Sequence, residues 1–267
     1  MGNSQSAEPE AKTFDYLTED YVIAVRVALL KFLPRELVDI VLDDAEYWPR
    51  TFAKRYLVVI ANTSGPKSQA DWCYLVTPQI IPDVLENDGE EELRRPPKIH
   101  SVTFTTKSRD QGWGGPPKDE MERYGPYHGS FSWFEAVIIR PSDEYPNAPW
   151  WLEETSEFPV NLLNPGPTEQ DLADADVVLV GPPRKRWFVC CNLTANDTYT
   201  EHTVTWSIHD EDPEHIVEDS MRGHVGMGKQ FLSLLQPGDR IALMARAMFP
   251  GWENDIHSAS IEVVYSM

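Results

Sequence analysis

The spacing of apolar residues changes rhythm near position 50. Val22, Val25, Leu29 and Phe32 recur at intervals of three, four and three, a stripe that predicts one helix. Thr18 suits its N-cap, and Glu19 and Asp20 suit the positive end of its dipole. Pro34 fits the first position of a second helix, where a missing N–H does no harm. Leu37, Val41, Ala45 and Trp48 form that helix's stripe, expected to be buried, and Pro49 stops it by disfavouring helical geometry at Trp48.

Beyond residue 55 the helical period gives way to short β runs bounded by Gly, Pro, Asn and Asp. Strands are expected at 56–61, 72–77, 99–106, 131–140, 177–180, 187–193, 202–208, 240–249 and 260–265. Ser101-Val102-Thr103-Phe104-Thr105 alternates, so one face of that strand is wet. The 131–139 run is apolar on both faces, which suits a central strand. The expected organisation is a polar tail over 1–17, a helical segment over 18–50 and one β domain over 55–267. The fold class is mainly β: an antiparallel sandwich or jelly roll behind a short α-helical start. Two long connections, 82–98 and 141–183, carry many acids and prolines, and the second includes Trp150 and Trp151.

Composition narrows the function. Hydrophobic residues make up 41% of 267, enough for a core, so wholesale disorder is excluded. No stretch reaches the about 18 consecutive apolar residues that a helical membrane span needs. Against 23 basic residues stand 43 acidic ones, and a net charge of −20 repels phosphate backbones, which argues against nucleic acid as a partner. Cys73, Cys190 and Cys191 are too few for a disulfide framework and point to a reducing, cytoplasmic setting. In that setting the sequons at Asn192 and Asn196 stay unglycosylated. The start, Met1-Gly2-Asn3-Ser4-Gln5-Ser6, fits the N-myristoylation pattern at Gly2. The surrounding acids give no second membrane signal, so any membrane contact would be weak and reversible.

One loop concentrates recognition chemistry. Arg109 offers donors, Asp110 acceptors, Gln111 both, and Trp113 an apolar face, all within a glycine-rich turn after a strand. That mixture suits a glycan or a peptide surface. Trp252, Glu253 and Asn254 repeat the grammar, so Arg109, Asp110, Gln111, Trp113, Trp252 and Asn254 form the candidate binding set. The alternative is structural: Arg109 pairs with Asp110, and both tryptophans roof the core. Glu135, flanked by apolar residues, needs a cationic partner such as Arg109 or Arg140.

Other constellations carry less. His209, Asp210, Asp212, Glu214 and His215 lack the glycine and terminal glutamate of a calcium loop, and adjacent Cys190 and Cys191 on a strand face opposite ways, so no metal site is expected. The run from Gly223 to Gln230 approaches the phosphate-cradling motif but ends in glutamine and follows no buried strand. No nucleophile elbow is present, and no cofactor is implied. An enzyme would need two carboxylates about 5–9 Å apart in a cleft.

Leu33-Pro34-Arg35-Glu36-Leu37-Val38, with Val41 and Trp48 beyond, resembles the opening of an F-box. The resemblance covers about half the motif, because a β run follows Pro49 almost at once. It implies that Leu33, Pro34, Leu37 and Val41 dock a SKP1-type adaptor of a ubiquitin ligase. The whole chain also resembles a group of uncharacterised fungal proteins that share the strings standing here at 33–38, 45–49, 108–113 and 237–243. A short helical start before a β domain is similar to phloem-lectin-like F-box proteins, in which the sandwich binds glycans. The reading is thus a recognition module, with the ubiquitin-ligase adaptor and the lectin as alternatives.

Overall fold

The computed structural model describes residues 17–62, 69–81, 97–141, 177–181, 186–210, 223–224 and 228–266. The chain divides into two compact units, one ending at Arg50 and one beginning at Thr51. Gly2 and most of the two long connections lie outside the described residues.

In the first unit, α1 (Glu19–Leu30) packs on α2 (Arg35–Asp44). Thr18 holds the N-cap position in extended geometry, but its side chain makes no capping hydrogen bond. Pro34 precedes α2 as its N-cap residue, one position earlier than expected. The buried faces also differ from the apolar stripes. Val22 and Arg26 are buried on α1, and Val38, Asp39 and Leu42 on α2. Phe32 is 83% exposed, and Leu37 and Val41 are 48% and 43% exposed. The buried faces share an ion pair, in which Arg26 Nη2 donates to Asp39 Oδ1, beside Val22, Val38 and Leu42. A charge withdrawn from water must keep its partner, so Arg26 and Asp39 turn inward together.

The second unit is built on β1 (Arg50–Arg55), β2 (Val59–Asn62), β3 (Gln69–Val76), β4 (Lys98–Arg109), β5 (Ser132–Pro141), β6 (Val177–Val180), β7 (Trp187–Cys191), β8 (Thr200–Ser207), β9 (Arg240–Met248) and β10 (Glu253–Ser266). They form two antiparallel sheets. One has the order β1-β10-β4-β8, with β2 also on β10; the other has the order β3-β9-β5-β6, with β7 also on β5. Among the described residues, two short helices were not expected from the sequence, α3 (Lys118–Tyr124) and α4 (Gly228–Leu234). Both are under two turns, too short for an apolar period to register.

A single core takes side chains from both sheets. Val102, Phe104, Val204, Trp206, Ile261 and Val263 come from the first, and Tyr74, Phe134, Ile138, Ile241 and Leu243 from the second. Phe231 of α4 fills the space between Trp187, Trp206 and Phe104, with ring centroids 5.0, 4.8 and 6.5 Å away. Strand β5 is central, and its other face buries Val137 and Ile139 with Cys73 and Met244, as its two-sided hydrophobicity requires. On β4 the wet face bears Thr103 and Thr105, whose hydroxyls lie 3.0 and 3.4 Å from those of Thr205 and Thr203.

Candidate functional site

Arg109 ends β4 and stands opposite Asp255 of β10. Its Nε donates to Asp255 Oδ2 at 2.8 Å, and Nη2 reaches the same oxygen at 2.8 Å. Nη1 donates to the Asp197 carbonyl at 2.7 Å, and the guanidinium lies 4.6 Å from the Tyr199 ring. The Tyr199 hydroxyl donates to Asp255 Oδ1 at 2.9 Å. Hydrogen bonding to Asp255 strengthens the Arg109 cation, raising its pKa. The expected Arg109–Asp110 pair is therefore replaced by an Arg109–Asp255–Tyr199 triad.

Asp110 turns into the protein and is almost wholly buried. Its oxygens accept the Gln111 N–H at 2.7 Å and the Ala195 N–H at 3.0 Å, tying two loops together. Burial outweighs those two bonds and pushes its pKa up to about 6. Asn254 is also fully buried. Its Oδ1 accepts from Asn192 Nδ2 at 3.0 Å, and its own Nδ2 donates to the Trp133 carbonyl at 2.9 Å. Asn192 is the hub: Oδ1 accepts the Ser108 hydroxyl at 2.6 Å, and Nδ2 also reaches Ser132 Oγ at 2.9 Å. The sequence hinted at this network, because Thr106 and Ser108 occupy inward positions of an alternating strand, but Asn192 read only as a sequon.

What faces outward is aromatic. Trp113 is 60% exposed. Its loop is held by Gln111, whose Nε2 donates to the Trp113 carbonyl at 2.6 Å and whose Oε1 accepts the Glu253 N–H at 3.4 Å. The indole leans on Gly251, where a Cβ would come within 2.8 Å of Trp113 Cη2. Gly251 has φ +90°, so both backbone and close approach call for glycine there. Phe249, also exposed, stacks edge-on to Phe131 at 4.8 Å, and buried Trp252 meets Phe131 at 5.0 Å. The loops at 110–115 and 249–253 thus make one rim. The two tryptophans divide: Trp252 is core, Trp113 is surface.

Glu135 takes neither expected partner. Its carboxylate meets Arg186 at 3.3 Å and Arg246 at 3.2 Å, and accepts from Trp133 Nε1 at 3.0 Å. Arg140 instead holds Asp239 through Nε and Nη2, both at 2.8 Å. Trp133 and Phe134 face opposite sides of β5, Phe134 in the core and Trp133 under the Arg246 guanidinium. Cys190 lies 3.6 Å from the Thr106 hydroxyl, and Cys191 donates to the Gly223 carbonyl. At Gly228, inside the glycine run, a Cβ would meet Trp206 Cβ at 2.4 Å, so packing explains that glycine. Asp212, Glu214 and His215 lie outside the described residues, and among the described residues no cluster has a metal-ligating arrangement. No helix among the described residues is long and apolar enough to cross a membrane.

No family model matches the chain, and no curated protein matches it.

Proposed function

We propose that the chain is a non-enzymatic, cytoplasmic recognition protein whose β domain is a sandwich of jelly-roll type and whose rim at Trp113 and Phe249 takes a partner. The strand order supports the sandwich: the first strand lies beside the last, β3 pairs with β9, and the chain crosses repeatedly between the two sheets, at β2–β3, β3–β4, β4–β5, β7–β8, β8–β9 and β9–β10. The observation that carries the function is a well-exposed indole on a loop fastened by internal hydrogen bonds. A large apolar surface held ready in one geometry loses little entropy on binding. Asp110 and Asn254 spend their polar groups internally, so the rim offers ring faces more than hydrogen bonds. That favours an apolar side chain of a protein partner over a sugar. The test compares the native chain with the folded Trp113→Ala variant on glycan arrays and in pull-downs. Binding lost only in the variant supports the rim; identical profiles refute it.

A second reading has its own observation. Leu37 and Val41 are exposed, as adaptor docking requires, and Leu33 is half-buried. Co-precipitation with the ligase adaptor, abolished by Leu37→Asp, would support it, and no binding by the native chain would reject it.

A further inference from the structure

β8 (Thr200–Ser207) ends the first sheet, with β4 on one side of it. Its register on β4 runs from Ser101↔Ser207 to Ser108↔Thr200 without a bulge. Alternate residues of an antiparallel edge strand turn their N–H and C=O away from the neighbouring strand. The Ile208 N–H donates to the His100 carbonyl at 3.1 Å, which fixes the phase: Ser207, Thr205, Thr203 and Glu201 are the residues that turn away. Ser207 is closed locally. Asp210 Oδ2 accepts its N–H at 2.7 Å, and the Asp210 N–H donates to its carbonyl at 3.1 Å. Among the described residues no group bonds the outward backbone of Glu201, Thr203 or Thr205. The side chains of all three are exposed.

An open edge of this kind is a template for another strand. The other outer strands are blunted. β1 and β2 are interrupted at 56–58, β3 shifts register between Cys73 and Leu75, and β6 and β7 have only four and five residues. β8 has no proline, bulge or lysine, and its threonines, Val204 and Trp206 favour extended chain. Its open stretch is also self-complementary, with Thr203 at the middle. A two-fold axis there sets Thr203 against Thr203 of a second copy and Glu201 against the second copy's Thr205, so every outward donor meets an acceptor. The two Glu201 carboxylates then stand about 13 Å apart along the strands. An axis at Val204 would oppose Glu201 to Ser207, whose groups are already taken. An axis at His202 would set the two histidines against each other.

We propose that β8 is a homodimer interface: two copies of the chain join their first sheets antiparallel across this edge, on an axis through Thr203. The interface is separate from the Trp113 rim and stands or falls without it.

The test is sedimentation equilibrium of the full chain. A reversible dimer is expected, tighter in high salt than in low salt, because ions screen the −20 charge of each copy. Thr203→Pro removes an outward N–H without touching a bond to β4, and should weaken association by about tenfold or more. Two lysine variants read the register, each adding one positive charge. Thr205→Lys faces the second copy's Glu201 and should tighten the dimer about threefold, whereas Thr203→Lys faces itself and should loosen it about threefold. Native near-UV circular dichroism shows that each variant is folded, and the lysine pair decides the matter if the proline variant is not. A native chain that stays monomeric up to about 0.5 mM in high salt overturns the proposal. So does a dimer that folded Thr203→Pro leaves intact, or one that both lysines leave unchanged or shift in the same direction.

Discussion

Arg109 and Asp255 face each other across β4 and β10, and the guanidinium delivers both Nε and Nη2 to one carboxylate oxygen. Tyr199 occupies the other oxygen. The arginine that read as a ligand contact is therefore also a structural counter-ion. Arg109→Ala strands a buried carboxylate and should destabilise the fold by about 2 kcal/mol, seen as a lower urea midpoint. Tyr199→Phe removes one bond to the same carboxylate and should cost about 1 kcal/mol. An Arg109→Ala variant as stable as the native chain would show that the triad contributes nothing.

Trp113→Ala should change stability by about 1 kcal/mol or less, because the indole is mainly in water. Gly251→Ala should do more. Its Cβ would collide with the indole, and its φ of +90° strains any other residue. A melting temperature lower than that of Trp113→Ala is expected. The double variant should recover part of the loss by removing the collision.

Asn192→Ala should cost about 3 kcal/mol, because Ser108, Ser132 and Asn254 all lose a partner in a buried network. Asn196→Ala, at a half-buried turn, should stay within about 1 kcal/mol. Equal effects in chemical denaturation would remove Asn192 from its central position.

Asp110 makes stability depend on pH. Its folded pKa, about 6, lies above the ordinary aspartate value, so the folded chain holds the proton more tightly than the unfolded one. The stability this contributes is present below about pH 4 and lost as pH rises through about 6. His202 acts in the opposite sense: burial and nearby His224 lower its pKa, so its contribution is lost as pH falls below about 6.5. Comparing native and Asp110→Asn chains cancels the histidine. The native-minus-variant difference in urea midpoint should fall between pH 4 and 6; a flat difference would refute the shift.

All three cysteines are buried, and burial holds the thiols of Cys73 and Cys190 near a pKa of about 12. Thiol reagents should react slowly with the native chain and count three sulfhydryls only after denaturation. Rapid labelling of the folded protein would contradict this burial.

The strands were legible because alternation is local: side chains two apart share a face whatever the rest of the chain does. The runs at 99–106, 131–140, 177–180, 187–193, 202–208 and 240–249 each fall on an observed strand, and the wet face of β4 and the two-sided burial of β5 follow from their patterns. The run at 56–61 was misplaced. The chain forms β1 at 50–55 and resumes in β2 at 59–62, leaving Tyr56, Leu57 and Val58 exposed between them.

Partners distant in sequence could not be read from local pattern. Arg109 lies 146 residues from Asp255, Arg140 lies 99 from Asp239, and the cations that meet Glu135 sit 51 and 111 positions beyond it. Residue types show that a charge needs a partner, but only the strand register chooses it. The same holds for the candidate rim. Composition placed arginine, aspartate, glutamine and tryptophan in one loop, and tertiary packing decided that Asp110 turns inward while Trp113 turns out. In α2 the apolar rhythm indicated a helix, but the side it turns inward carries Val38, Asp39 and Leu42, with Asp39 paired to buried Arg26. The sequence by itself determined which segments extend and which coil, because those preferences act over a few residues. Which side chains meet was decided by the tertiary structure, because a charge or donor withdrawn from water settles only where the whole chain brings it a partner.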